Sequence, residues 1–164
     1  MSTIQKIQTI LGVVADDVWG PKSQAALDAA IREVHGGAVH RVTASSFADP
    51  ADVASFKRCK ARGGSDQECF KVGDNGVGRW GDDTTTEVPM CALPPEDWEF
   101  LGAKARGALV LVKANGREVV CQLRDTMPHR KNIKNGAGID LNAAAWKALG
   151  KTPPVMMPAT WQWA

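Results

Sequence analysis

The segment from Ala108 to Arg124, ALVLVKANGREVVCQLR, constrains the fold of this chain more than any other stretch. Two runs rich in aliphatic and β-branched residues flank Asn115-Gly116. That dipeptide supplies the two left-handed positions that a two-residue hairpin turn needs, so the spacing predicts a tight antiparallel β-hairpin. Its second strand runs on into Asp125 and a basic loop. A short strand around Ile139 then ends at Asp140, and AAAWKAL follows as a helix with Asn142 at its N-cap and Gly150 at its stop. Two carboxylates thus stand at the edges of one irregular loop, each leaving a strand. Strand ends on a rigid scaffold are where catalytic groups commonly sit.

The rest of the chain narrows the partners. At 164 residues it is long enough for one ordinary domain with a small appendage. Twenty basic against eighteen acidic side chains leave +2, too balanced a charge to point to nucleic acid. No run approaches the roughly 20 apolar residues that span a bilayer. The start, MSTIQKIQTILGVVADD, has no basic opening, no continuous apolar stretch and no small-residue cleavage site, so it is not read as a secretory signal. Six Trp and no Tyr is an unusual aromatic set; Trp suits sugar rings as well as cores, and three or more of the six are expected in the core.

Cys59, Cys69, Cys91 and Cys121 show no C-x-x-C spacing, which speaks against a zinc site, and no metal or cofactor is expected. The even count permits two disulfides. Cys59–Cys69 and Cys91–Cys121 are the favoured pairs, with four buried thiols as the alternative.

In chain order, Ile4, Ile7, Ile10 and Leu11 recur at helical spacing up to Gly12. Pro21 opens a second helix that Gly36-Gly37 closes, giving an α-hairpin over residues 1–37. Val39 to Phe47 reads as a strand, and residues 48 to 89 as a polar, loop-rich region. Within it, VGDNGVGRWGDD has glycines at phosphate-loop-like spacing, but no helix pattern follows, so a nucleotide is not indicated. The same run lacks the ligand pattern of a calcium loop. Pro95 starts a short helix, and VMMPATWQW is a final strand with Pro158 at an edge or bulge.

Two resemblances rest on these residues. IQTILGVVADDVWGPKSQAAL resembles the repeat of peptidoglycan-binding modules through Gln8, Leu11, Gly12, Asp16, Trp19, Gly20, Pro21 and Leu27, over about thirty residues. VVCQLRDTMP followed by GIDLNAAAWKALG is similar to the double-psi β-barrels of expansins, barwin-like proteins and rare lipoprotein A-like lytic transglycosylases. Asp125 and Pro128 match the first barrel motif, and Asp140, Leu141 and Asn142 match the second. Val42 to Phe47 resembles the first barrel strand, and Cys91 to Asp97 the expansin segment A-L-N-P-A-D.

The resemblance implies a mainly β fold: a small six-stranded double-psi β-barrel with short helices over 38–164, after the N-terminal α-hairpin. It implies a monomer acting on peptidoglycan or another cell-wall polysaccharide outside the cytoplasm. Asp140 would be the general acid and Asp125 the supporting carboxylate. Ser45, Trp80, Asp83, Thr84 and His129 would line the groove. The chain departs from those families in having Cys91 where lipoprotein A-like enzymes place His, and Met127, His129 and Arg130 where expansins place aromatics. Three readings follow: a glycan-cleaving enzyme, an expansin-like binder that loosens glycan without turnover, and a secreted protease-inhibitor or defence barrel.

Overall fold

A computed structural model describes the backbone of residues 1–164 and the side chains of all but residues 32–36. The chain divides into two compact units, Met1–Ala38 and Val39–Ala164.

The first unit holds α1 (Thr3–Ile10) and α2 (Pro21–Gly36). Ser2 and Gln5 form a capping box at the start of α1, each side chain accepting from the other's backbone N–H. Its centre is polar. Gln8 is fully buried, with Nε2 in hydrogen-bond reach of Asp16 Oδ1 and Val18 O at 2.9 Å and of Ser23 Oγ at 3.1 Å. Gln8 Oε1 accepts from Asp17 N at 3.1 Å, so one amide ties the turn between the helices. Gln8 and Asp16, together with Trp19, whose ring N–H donates to Gln24, thereby have structural tasks of their own.

The second unit is a six-stranded double-psi β-barrel. Its strands are β1 (His40–Ser46), β2 (Met90–Leu93), β3 (Leu109–Ala114), β4 (Arg117–Thr126), β5 (Ala137–Leu141) and β6 (Met157–Trp163). They close in the order β1-β5-β2-β4-β3-β6. The β1–β5 and β2–β4 pairs are parallel, and the other four are antiparallel. The expected hairpin is β3–β4, with Asn115 at φ 54° and Gly116 at φ 68°. Ala44, Leu93, Val112, Leu123, Leu141 and Trp161 fill the interior, each at most 1% exposed. Helix α6 (Ala143–Ala148) adds the fully buried Trp146. Truncating a ring so placed to Ala costs about 3–5 kcal/mol. Trp98, Trp146 and Trp161 are the three buried tryptophans.

Closure leaves no edge strand, so Pro158 is not at an edge: it pairs with Thr43 of β1, while pairing to β3 starts two residues on, at Thr160. Its missing N–H therefore interrupts no ladder bond to β3.

Residues 48 to 89 hold more structure than a loop-rich reading allows. Helix α3 (Pro50–Ala61) and the one-turn α4 (Asp66–Cys69) lie there. In α3 only Val53 and Phe56 are buried, too few to set up an apolar stripe. Its signals are Asp49 at the N-cap position and Pro50 in the first turn. Strand β2 was also hidden, because its four residues are all buried and show no alternation. Helix α5 (Pro95–Trp98) follows directly.

Cys59 and Cys69 form a disulfide that joins α3 to α4. The second expected bond is absent: Cys91 and Cys121 are buried free thiols. The register explains it. Cys91 lies opposite Leu123, so Cys121 is a diagonal neighbour two residues back. Such a diagonal is about 7–8 Å between Cα atoms, beyond what a disulfide spans without backbone movement. Burial pushes the Cys91 thiol well up and the Cys121 thiol up to about 12, so both stay protonated and inert. No helix among the described residues is long and apolar enough to cross a membrane.

Candidate active site

The two parallel strand pairs build the site. Ala92 of β2 is the register partner of Asp125 on β4 and also of Asp140 on β5. Asp140 is in turn the partner of Ser45 on β1. Ladder partners share a face, so Ser45, Asp140, Ala92 and Asp125 form one row across four strands. The two acids are two strand spacings apart, about 10 Å between Cα positions. Ala92 between them is small and 2% exposed, packed in an apolar cluster with Met127 and Ala137.

Strict alternation would have buried Asp125, because Cys121 and Leu123 both point inward. A bulge prevents this. Cys91 pairs with Leu123 but Ala92 pairs with Asp125, so Arg124 is extra and the next side chain is re-aimed outward. The same device operates on the other parallel pair, where Thr43 pairs with Ala137 and Ala44 with Ile139, leaving Gly138 extra. A Cβ at Gly138 would lie 2.5 Å from Val42 Cγ1, so the bulge needs a residue without one.

The carboxyls are held differently. Asp125 Oδ1 accepts two backbone N–H bonds, from Thr126 at 2.7 Å and Arg79 at 2.9 Å. Burial pushes its pKa up, and those two donors oppose the rise. Asp140 accepts only from the Ser45 hydroxyl. Burial pushes its pKa up to about 6, and the negative charges of Asp125 and Asp49 add to the rise. The pair is therefore asymmetric: Asp140 keeps its proton up to about pH 6, while two backbone donors oppose the rise at Asp125.

Arg79 reaches Asp125 because its loop approaches β4 closely. At Gly78 a Cβ would come within 2.2 Å of the Arg124 carbonyl oxygen, so only glycine fits. Asp82 anchors the same loop through Arg106 at 2.7 Å and Arg124 at 3.2 Å. Trp80, next in the chain, is half-buried and meets Trp98 edge-on, with ring centroids 5.3 Å apart.

The remaining expected groove residues are not drawn into the row. Thr84 is buried at 1% exposure and is no groove residue. Asp83 caps its own turn, accepting from Thr85 N at 2.9 Å and Thr85 Oγ1 at 2.6 Å, which holds its pKa low. His129 is exposed, with Nδ1 3.2 Å from Glu96 Oε1 of α5. One carboxylate escaped sequence reading: Asp49, 7% exposed, accepts from Ser46 Oγ at 2.8 Å and leaves Oδ1 without a partner. Its Asp-Pro context signals a helix start rather than a site. No group of three or more ligand-type residues able to hold a metal ion exists among the described residues.

Fold and site together define a class: a small double-psi β-barrel carrying a partly buried, asymmetric carboxylate pair. No protein-family model matches the chain, and no curated protein does. Among solved structures it is similar to a mutant Clavibacter michiganensis expansin in complex with cellohexaose, with TM-score 0.45 and 15% identity over 77% of this chain and 50% of that one. The apo expansin of the same organism gives TM-score 0.46 and 17% identity over the same shares, so the chain spans half the length of either expansin. A Streptomyces papain inhibitor gives TM-score 0.46 and 21% identity, over 77% of this chain and 94% of the inhibitor.

Proposed function

We propose that this chain cleaves glycosidic bonds of a cell-wall polysaccharide, peptidoglycan first, with Asp140 as the general acid. The observation that carries this reading is the row in which Asp140 and Asp125 flank Ala92 with unlike partners. A leaving sugar oxygen needs a proton at near-neutral pH, and a carboxyl with a pKa of about 6 holds one. Asp125, whose carboxylate two backbone N–H groups hold against the rise that burial causes, stabilises the cation that develops. It also orients a water for inversion if the carboxyls open to about 6.5–9.5 Å. Where no water is held, the hydroxyl of a muramic residue closes an anhydro ring, which is lytic transglycosylation. Ser45 positions Asp140, and Trp80 offers a ring edge beside the Asp125 loop.

The Cys59–Cys69 bond suits an oxidising compartment, which supports a site of action outside the cytoplasm. The N-terminal unit, with its wall-module resemblance, supplies a reason to place peptidoglycan ahead of cellulose.

A second reading is binding without turnover, as an expansin-like protein. Cys91 favours it: fully buried in the core, this residue brings no acid–base group to the row. Digesting purified sacculi with wild type and Asp140→Asn, then analysing soluble products by mass spectrometry, separates the two. Anhydro-muropeptides or reducing ends from wild type alone support cleavage. Intact sacculi that still bind the wild type support the second reading and overturn the first.

A further inference from the structure

A groove of about 1290 Å³ in the barrel unit is lined by none of Ser45, Asp125 or Asp140. Its charged lining comprises four cations, Arg41, Lys113, Arg117 and Arg130, against two carboxylates, Asp97 and Glu118. Both carboxylates are engaged: Glu118 with Lys113 at 3.4 Å and Asp97 with Arg130 at 2.6 Å. Arg41 and Arg117 have no ion-pair partner among the described residues. The groove's excess of two positive charges equals the +2 of the whole chain, so the rest of the molecule is balanced and the excess is local.

The register shows how the cations are arrayed. Thr160 of β6 is the partner of Arg41 on β1 and of Lys113 on β3, and Lys113 is the partner of Glu118 on β4. Arg41, Thr160, Lys113 and Glu118 thus form a second row across four strands. It meets the acid row along β1. That strand pairs with β6 residue by residue without a register shift, so Arg41, Thr43 and Ser45, two residues apart, stand on one face, and Thr43 lines the groove. Arg41 lies four residues before Ser45, about 13 Å along the strand. A chain lying on this face passes Asp140 and then reaches the guanidinium.

We infer that this cationic row is a subsite for the carboxylate groups of an acidic cell-wall polysaccharide; the placement rests on the glycan reading of the acid row. A guanidinium presents a planar fork of donors that matches a carboxylate in two parallel hydrogen bonds. The Arg41 fork beside the Thr160 hydroxyl, with the Arg117 fork elsewhere on the groove lining, suits a polymer with spaced carboxylates. Nucleic acid, by contrast, calls for a continuous basic stripe, whereas Thr160 and Glu118 interrupt this row. The carboxylates can be uronates of the sugar ring or the lactyl and peptide carboxylates of peptidoglycan.

The test measures binding of the full chain to polygalacturonate, to purified sacculi and to neutral cellulose at low and high salt. It compares wild type, Asp140→Asn, and the double variant Arg41→Gln/Arg117→Gln. Both arginines are exposed, and a thermal melt confirms that the double variant folds. Wild type and Asp140→Asn are expected to bind at least one acidic polymer about 10-fold or more tighter than cellulose, with the difference falling at high salt. The double variant is expected to lose that difference and keep its binding to cellulose. Selective binding to polygalacturonate assigns uronates, and selective binding to sacculi assigns the lactyl or peptide groups. Equal binding of acidic and neutral polymers by wild type, or an unchanged preference in the double variant, overturns the subsite. Sacculi left undigested by a protein that shows the preference would count against the cleavage reading alone.

Discussion

Asp125 and Asp140 approach Ala92 from opposite sides, each on a strand whose parallel ladder carries a bulge shortly before the acid, yet their carboxyls meet different surroundings. On β4 a loop folds down until the Arg79 N–H reaches the carboxylate and joins that of Thr126, two donors that oppose the rise caused by burial. On β5 the partner is one hydroxyl, and burial dominates. Near-equivalent positions in the barrel therefore yield two acids of unlike proton affinity. The difference comes from what the neighbouring loops contribute rather than from the residue type.

The largest effect is expected at Asp140. Asp140→Asn should lower glycan cleavage by about 10²–10⁴-fold, the usual worth of a positioned general acid. The same change should stabilise the protein at pH 7. The folded carboxyl, at about 6, binds its proton more tightly than an ordinary aspartate, at 3.8. The contribution of this carboxyl to stability is therefore fullest below about pH 4 and is lost as pH rises through 6. Asn removes that decline, a gain on the order of 2–3 kcal/mol at pH 7 that vanishes in acid. Urea denaturation of wild type and Asp140→Asn at pH 4 and pH 7 checks it; the same difference between the two proteins at both pH values would mean that the Asp140 carboxyl is not raised as described.

A middle-sized effect is expected at Gly78. Alanine there meets a carbonyl oxygen at 2.2 Å, so the loop must lift. The overpacking should cost about 1–3 kcal/mol in denaturant melts. Lifting Arg79 N from Asp125 also removes a donor that opposes its raised pKa, so the Asp125 titration should move up toward that of Asp140. The smallest effect is expected at Ser45. Its hydroxyl favours the charged form of Asp140, so Ser45→Ala should raise the Asp140 pKa by the worth of one hydrogen bond to a charged group, about 1–2 kcal/mol. The alkaline limb of a cleavage profile should follow it upward.

Much of this was legible in the chain. Asn115-Gly116 named its hairpin because the turn chemistry is local. Asn142 was readable as a cap for the same reason, although its side chain also donates to Thr84 O and Val88 O and accepts from Met90 N, contacts that no local pattern reveals. The outward aim of Asp125 was not derivable, since a bulge exists only relative to a partner strand. Helix α3 stayed hidden because two apolar residues do not make a stripe. Thr84 shows the converse: a polar residue in a glycine-rich run looks exposed, yet the loop folds it inward.

The asymmetry of the pair is tested most directly by following the ¹³C side-chain carboxyl shifts of Asp140 and Asp125 through a pH titration, assigned with Asp140→Asn. The expected result is a midpoint near 6 for Asp140 with Asp125 titrating below it. Both groups titrating together near the ordinary aspartate value of 3.8, or Asp125 retaining its proton to higher pH than Asp140, would contradict the proposal of Asp140 as the acid.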